Sequence, residues 1–280
     1  MRFEKWQALG NDYLIVDARE HDAPLEAETV RRLCDRHAGV GADGVLELTE
    51  AGEPGYVARV RIVNPDGSEA ELSGNGVRQA VLYLRARGWT DARQFSVLTA
   101  AGEIRPTILF ETTCRVDMGR ARLRSAGFPA GGADGTGELR AAGRGWSFQH
   151  VSIGNPQCAI ALGSPAEVDA LDVAAIGAQI ERSELFPQRT NVSFYATDGG
   201  GTMRTRIFER GVGETASSGT GACGAAVAHV LRGGDSPVTV RMDGGELEVE
   251  VGEDLHVDLT GWAVPVFAGE VDVEALAVRR

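Results

Sequence analysis

Two stretches of this chain repeat one pattern, and the repeat limits the folds that the chain can adopt. The first ends in Ser73-Gly-Asn-Gly and the second, 145 positions later, in Ser218-Gly-Thr-Gly. In each, a polar residue (Asn64 or Glu209) lies nine positions before the serine. An apolar, strand-like run precedes each stretch and an Ala-rich run with helical spacing follows it. The pattern predicts two copies of one α/β unit.

Two further landmarks recur in the same order. Asn11 and Asn155 each follow a glycine and lead into an apolar strand, and they lie 144 positions apart. A helix is predicted after each of these strands, over residues 25–37 and from residue 164 towards 179. Landmarks at nearly equal offsets indicate an internal duplication rather than coincidence between glycine-rich motifs. Two similar lobes facing each other would place the two serines on opposite walls of one cleft.

Apolar periodicity predicts the remaining elements of both halves. Strands are predicted over 2–8, 12–17, 45–48, 57–63, 158–162 and 202–208, several more within 95–118 and 237–268, a long loop or hairpin over 126–145, and helices after Gly76 as far as Gly88 and over 222–231.

Composition excludes several classes of protein. The net charge of −12 over 280 residues argues against nucleic acid or an anionic membrane as the main partner. No apolar run has the length of a membrane span, and the first residues have no apolar targeting segment. Four cysteines without C-x-x-C spacing are typical of reduced thiols, so we expect a cytoplasmic protein. The five scattered histidines predict no metal site.

Two cofactors can be weighed from single residues. Lys5 is the only lysine and lies on a predicted first strand, which argues against pyridoxal phosphate. Gly219 to Gly224 fits G-x-G-x-x-G, but a dinucleotide site needs an acidic residue about twenty positions later. Position 244 is glycine, and Asp243 lies in a turn. We therefore expect no cofactor.

The two serines have a structural and a functional interpretation. Ser73 and Ser218 each precede a predicted helix, where serine is a good N-cap. Helix N-termini also bind carboxylates through free backbone N–H groups. Asparagines in turn-like contexts, together with Glu209 and Arg210, could hold the ammonium and carboxylate groups of a zwitterion. These asparagines are Asn11, Asn64, Asn75, Asn155 and Asn191.

Over nearly its whole length the chain resembles the diaminopimelate epimerases, which are cofactor-independent amino-acid epimerases. The motifs that carry the resemblance are Leu9-Gly-Asn11-Asp-Tyr, Asp35-Arg-His37, Gly41-Ala-Asp43-Gly44, Asn64-Pro-Asp-Gly-Ser-Glu-Ala-Glu, Gly74-Asn75-Gly76-Val-Arg78, Gly154-Asn155-Pro156, Thr190-Asn191-Val192, Glu209-Arg210-Gly-Val-Gly and Gly219-Thr220-Gly221-Ala-Cys223.

The resemblance implies an α/β (α+β) fold with two pseudo-symmetric lobes, each a curled, mixed, largely antiparallel sheet around a central helix. The first lobe would comprise residues 1–117 and about 265–280, the second 118–264, with the active site in the cleft. It also implies a cytoplasmic, homodimeric isomerase without cofactor or metal that converts L,L- to meso-diaminopimelate for lysine and cell-wall synthesis.

The resemblance further implies a two-base transfer of the α-proton and a set of binding residues. The positions that match its substrate-binding motifs are Asn11, Asn64, Gly74, Asn75, Asn155, Asn191, Glu209, Arg210, Gly219 and Thr220. The family's two acid/base residues are cysteines, and here these positions hold Ser73 and Ser218. A hydroxyl is far less acidic than a thiol and needs an adjacent base. We therefore expect weak or altered turnover.

Two other positions also depart from the family, and two explanations compete. Gln157 stands where histidine is usual, and Gln79 where cysteine is frequent. A designed double Cys→Ser replacement would explain the two serines alone, whereas natural divergence explains all four positions and is favoured. Besides epimerisation, a diverged isomerase or dehydratase that uses Glu209 as base and a non-catalytic amino-acid-binding protein both remain open.

Overall fold

The computed structural model describes residues 1–20 and 24–277. Its strands are β1 Arg2–Ala8, β2 Asn11–Asp17, β3 Val45–Thr49, β4 Tyr56–Val63, β5 Glu69–Ala70, β6 Ser96–Thr99, β7 Gly102–Ile104, β8 Pro106–Phe110, β9 Thr113–Arg120, β10 Thr136–Ala141, β11 Arg144–Ser152, β12 Pro156–Ala161, β13 Asn191–Thr197, β14 Thr202–Glu209, β15 Gly213–Thr215, β16 Val238–Met242, β17 Gly245–Val251, β18 His256–Trp262 and β19 Val264–Glu270. Its helices are α1 Ala27–Cys34, α2 Gly74–Ala86, α3 Pro165–Asp169, α4 Val173–Glu181, α5 Gly219–Leu231 and α6 Val273–Ala277.

The chain forms two compact units. One comprises Met1–Val116 with Gly261–Arg280, and the other comprises Asp117–Thr260. None of the helices described for residues 1–20 and 24–277 is long and apolar enough to cross a membrane.

The first sheet is mixed and mainly antiparallel. Its strand order is β19-β1-β2-β3-β4-β6-β7, with β5 paired to β4. The pairs β2/β3 and β4/β6 are parallel, and the other pairs are antiparallel. Helix α2 is buried from Asn75 to Leu84, as expected for the central helix of a curled sheet.

The second sheet has the order β10-β11-β12-β13-β14-β16-β17-β18-β9-β8, with β15 paired to β14. Here the pairs β12/β13 and β14/β16 are parallel. Helix α5 contains small residues and is buried along most of its length. Helix α4 buries Val173, Ile176 and Ile180, which share one face at helical spacing, in a core with Trp146 and Phe194.

The strand order repeats between the two sheets. The series β1-β2-β3-β4-β6-β7 corresponds to β11-β12-β13-β14-β16-β17, and the parallel pairs occupy the same places in both series. In both, the central helix follows a short strand that pairs back onto the fourth strand of the series. The duplication and the mixed two-lobed fold class predicted from the sequence are confirmed.

Two predicted helices differ from the structure. The helix from residue 164 towards 179 is two helices, because Asp172 accepts a hydrogen bond from Ala175 N at 3.0 Å and caps a new helix. Helix α1 ends at Cys34 rather than at 37, because the Asp35 carboxylate accepts bonds from the next turn's backbone N–H groups. The glycine-rich stretch 126–145, predicted as a loop or hairpin, includes β10, which pairs with β11 as a hairpin.

The close approach of α4 to β14 can be tested at Gly177. A Cβ atom at this position would lie 2.6 Å from Cβ of Phe208, so Gly177→Ala would force α4 away from the strand. Such overpacking costs about 1–3 kcal/mol, more than the roughly 1 kcal/mol that alanine gains in a helix. We expect a lower free energy of unfolding in urea. The control is Gly145→Ala, where a Cβ meets nothing within 4 Å. Equal stability of the two variants would contradict the packing argument.

Candidate active site

Ser73 is the N-cap of α2 and contacts a second polar group. Its Oγ accepts a hydrogen bond from Gly76 N at 3.0 Å and one from the Tyr13 hydroxyl at 3.3 Å. Its backbone is extended, with φ −134° and ψ 117°, as usual for an N-cap. Because the oxygen accepts two hydrogen bonds, negative charge on it would be stabilised. This arrangement suits a proton donor.

Ser218 is the N-cap of α5 and has a different partner. Its Oγ accepts from Gly221 N at 3.2 Å, and its hydroxyl is hydrogen-bonded to the Glu209 carboxyl at the end of β14. Burial raises the pKa of Glu209 above its usual value, and the hydrogen bond from Ser218 offsets part of that rise. A basic carboxylate that accepts the serine proton suits a proton acceptor.

The two serines therefore share a backbone setting but differ in chemistry. Both lie at the positive end of a buried helix, where a developing anion is stabilised. Tyr13 supplies a hydroxyl to the first, and Glu209 supplies a carboxylate to the second. The structural interpretation of both serines, N-capping, is confirmed, and capping leaves each of them in contact with a titratable group.

Asn11 is held by a charged network at the start of β2. Its Nδ2 donates to Asp43 Oδ2 at 2.9 Å. Asp12 pairs with Lys5 at 2.6 Å and with Arg36 at 2.7 Å, and Arg36 also pairs with Asp43 at 2.7 Å. Burial opposes ionisation of Asp12, but the hydrogen bonds from Arg36 and Lys5 outweigh it and lower its pKa to about 2. The network fixes the orientation of the Asn11 side chain.

Asn155 connects β12 to the beginning of α5. Its Nδ2 donates to Thr220 Oγ1 at 3.2 Å, and its Oδ1 accepts from Gln157 Nε2 at 2.6 Å. Thr220 is the second residue of α5 and follows Ser218 by two positions. The structure thus brings Asn155 together with the helix end that carries Ser218.

Asn191 and Arg210 form a second contact in the same unit. The buried Asn191 side chain accepts a hydrogen bond from Arg210 N at 2.8 Å through its Oδ1. The Arg210 guanidinium donates to the carbonyl oxygen of Gln188 at 2.9 Å. Because Glu209 precedes Arg210, the Asn191 bond fixes the backbone beside the carboxylate that contacts Ser218.

Two predicted binding asparagines use their side chains locally. Asn64 donates through Nδ2 to Ser68 Oγ at 3.0 Å, within its own turn. The buried Asn75 accepts a hydrogen bond from Arg78, whose Nη1 also donates to the carbonyl oxygen of Gly74 at 3.1 Å. At Gly74-Asn75 and Gly219-Thr220 the groups suited to an anion are therefore the backbone N–H groups of the first helical turn.

Tyr13 contacts the predicted acid/base residue Ser73, and the sequence analysis assigned it no role. The signal was present in the repeat, since Tyr13 lies 144 positions before Gln157, the position where the family usually has histidine. Aligning the two copies would have placed Tyr13 at the corresponding site of the first copy.

Comparison with known proteins identifies the family. The family model described as diaminopimelate epimerase matches residues 3–124 and 149–266. The chain belongs to the diaminopimelate epimerase family. A diaminopimelate epimerase of Aromatoleum aromaticum is 42% identical over 278 residues, covering 98% of this chain and 99% of the relative. Membership of this family identifies the chain as an isomerase.

Solved structures share the fold of this family member at low identity. A phenazine biosynthesis PhzC/PhzF protein from Clostridium difficile has a TM-score of 0.70 at 13% identity, covering 97% of this chain and 99% of that one. A hydroxyproline epimerase from Agrobacterium vitis, with trans-4-hydroxy-L-proline bound, has a TM-score of 0.67 at 15% identity, covering 96% and 91%. Both likenesses concern the fold alone.

The contact between Ser218 and Glu209 can be measured directly. Ser218→Ala removes the hydrogen bond that offsets the effect of burial, so we expect the pKa of Glu209 to rise further. Titration of the side-chain carboxyl carbon by NMR reports this pKa, and the signal is assigned by its loss in Glu209→Gln. Ser73→Ala is the matched control and should leave the titration unchanged. A Glu209 pKa that is unaltered or lowered in Ser218→Ala would show that the two groups do not interact.

Proposed function

We propose that this chain epimerises L,L-diaminopimelate to the meso form by transferring the α-proton between two protein groups, without a cofactor. Family membership supports the substrate, because the relatives that match over the whole chain are diaminopimelate epimerases. The observation that carries the chemistry is the Ser218 hydroxyl, capping a buried helix and hydrogen-bonded to a carboxyl of raised pKa.

Deprotonation is assigned to the second unit. The bond between the α-carbon and its hydrogen breaks as Ser218 Oγ takes the proton, and the serine's own proton passes to the Glu209 carboxylate. The electron pair left on the α-carbon delocalises into the substrate carboxylate. Backbone N–H groups of a helix N-terminus stabilise that growing charge, and Gly219-Thr220 provides them here.

Reprotonation is assigned to the first unit. Ser73 donates its hydroxyl proton to the opposite face of the α-carbon. The negative charge left on its oxygen is stabilised by the hydrogen bonds from Tyr13 and Gly76 N. Exchange with solvent then returns a proton to Ser73 and removes one from Glu209. The prediction that both serines reach one α-carbon, across a cleft, was made from the sequence and stays a prediction.

Binding of the substrate's two ends is assigned to the remaining matched positions. Asn11 and Asn155 are held in place by neighbouring side chains, and Asn191 orients the backbone at Arg210. Asn64 and the turn at Gly74-Asn75 complete the set by their positions in the family motifs. The roles of all these residues, a homodimeric state, a cytoplasmic location and a place in lysine and cell-wall synthesis remain predictions.

A second candidate function follows from the unequal partners of the two serines. The Glu209 carboxylate can accept a proton, whereas the Tyr13 hydroxyl beside Ser73 donates a hydrogen bond, so deprotonation without return of the proton to the same carbon is chemically reasonable. The product would then be that of a dehydratase or a double-bond isomerase rather than an epimer. Product analysis separates the two outcomes, because only epimerisation leaves the carbon skeleton and its bond order unchanged.

The effect of serine at both positions is tested by replacing both serines with cysteine. We expect Ser73→Cys/Ser218→Cys to incorporate solvent deuterium at the α-carbon of L,L-diaminopimelate faster than the natural chain. General acid–base groups raise a reaction rate about 10²–10⁴-fold. A thiol, with a pKa of about 8.5, is far better matched to neutral pH than a hydroxyl. We therefore expect an increase of about 10²-fold or more, measured by mass spectrometry in heavy water.

The control for this comparison is Cys223→Ser, which changes a buried thiol on α5 away from the cap and should leave the rate unchanged. If the natural chain already exchanges as fast as the double-cysteine variant, the expected impairment is wrong. If neither protein exchanges the α-proton, diaminopimelate is not the substrate.

A further inference from the structure

In each unit a fully buried glutamine donates a hydrogen bond to the asparagine of a Gly-Asn step. Gln79 Nε2 donates to the main-chain oxygen of Asn11 at 3.0 Å. Gln157 Nε2 donates to the side-chain oxygen of Asn155 at 2.6 Å. Both glutamines have 0% of their surface exposed. In each copy of the repeat a glutamine amide therefore donates to this asparagine, at the main-chain oxygen in the first copy and at the side-chain oxygen in the second.

The two glutamines do not occupy matching positions in the repeat. Gln157, on β12, lies 144 positions after Tyr13, whereas Gln79, on α2, lies 145 positions before Gly224. A Cβ atom at Gly224 would lie 2.8 Å from both Cβ and Cγ of Gln157, so glycine on α5 makes room for the strand's glutamine. In the first unit the helix supplies the amide, and in the second unit the strand supplies it.

Folding alone does not account for these side chains. Among residues 1–20 and 24–277, neither Oε1 of Gln79 nor Oε1 of Gln157 has a hydrogen-bond partner, although both atoms are buried. A buried acceptor without a partner lowers stability, and an apolar side chain of similar shape would avoid that cost. What the amides provide is the donated bond to Asn11 and Asn155.

We infer that Gln79 and Gln157 are positioning residues, Gln79 holding the backbone of Asn11 and Gln157 the side chain of Asn155 in place for the substrate. The inference rests on the proposed function, since it takes the two asparagines as substrate contacts. At Asn155 the consequence is specific. Its Oδ1 accepts from Gln157 and its Nδ2 donates to Thr220, so the hydrogen that remains on Nδ2 is a donor. A hydrogen-bond donor binds an acceptor group, so we assign Asn155 to a substrate carboxylate.

The test replaces each amide by a side chain of similar shape without a donor. Gln157→Met and Gln79→Met are compared with Gln149→Met by calorimetric titration with L,L-diaminopimelate. Gln149 is also buried, and its amide donates to the backbone oxygens of Asp134 and His150 rather than to a predicted binding residue. We expect Kd to rise about tenfold in the first two variants and less than twofold in the control.

A ligand-free measurement separates this inference from the proposed function. The side-chain amide signals of Asn155, assigned by Asn155→Ala, report its hydrogen bonding in ¹⁵N NMR spectra of the whole chain. We expect Gln157→Met to shift them and to speed their hydrogen exchange, whereas Gln149→Met should not. Gly224→Ala, which displaces the native Gln157, should reproduce the effect of Gln157→Met.

The outcomes distinguish the two proposals. Tight binding by the natural chain and equally tight binding by Gln157→Met and Gln79→Met would overturn the positioning role. Failure of the natural chain to bind L,L-diaminopimelate would instead overturn the proposed substrate. In that case the NMR signals of Asn155 still test the positioning role, because unchanged signals in Gln157→Met would overturn it without any ligand.

Discussion

The hydrogen bond from a helix's third backbone N–H to a capping serine fixes the position of both predicted acid/base residues. At Ser73 the donor is Gly76 N, and at Ser218 it is Gly221 N. Glycine at the donor position lets each helix begin close to its sheet. A Cβ at Gly221 would lie 2.7 Å from Cδ1 of Ile207 on β14, and one at Gly76 would lie 3.1 Å from Cδ2 of Leu46 on β3. The cap, the glycine and the strand together fix each serine at the positive end of a buried helix.

From that common geometry the two units have diverged in their chemistry. Tyr13 donates a hydrogen bond to the Ser73 oxygen, which makes Ser73 a better proton donor. Glu209, in contrast, can remove the proton of Ser218. The burial that raises the pKa of Glu209 makes the carboxylate a better base than an exposed one. The two capping serines therefore have the same backbone setting but different neighbouring groups, a hydroxyl at Ser73 and a carboxyl at Ser218.

The sequence predicted the duplicated architecture because the repeat leaves a periodic signal in glycine, serine and apolar positions. The central helices and the caps follow from local patterns of this kind. Contacts between elements do not. Tyr13 reaches Ser73, and Gln79 reaches Asn11, because β2 packs against α2, and the pattern of each element alone does not show that contact. The break at Asp172 was missed because a capping aspartate inside a helical pattern resembles an ordinary surface residue.

The central claim is that Glu209 drives deprotonation through Ser218. The most direct measurement is the pH dependence of α-deuterium uptake by L,L-diaminopimelate in heavy water, for the natural chain, Glu209→Gln and Tyr13→Phe. If the claim is right, uptake by the natural chain rises with pH through the pKa that NMR assigns to Glu209, Glu209→Gln loses about 10²-fold or more, and Tyr13→Phe keeps the same pH profile at a lower rate. Uptake by Glu209→Gln at the natural rate, with the pH profile unchanged, would contradict it.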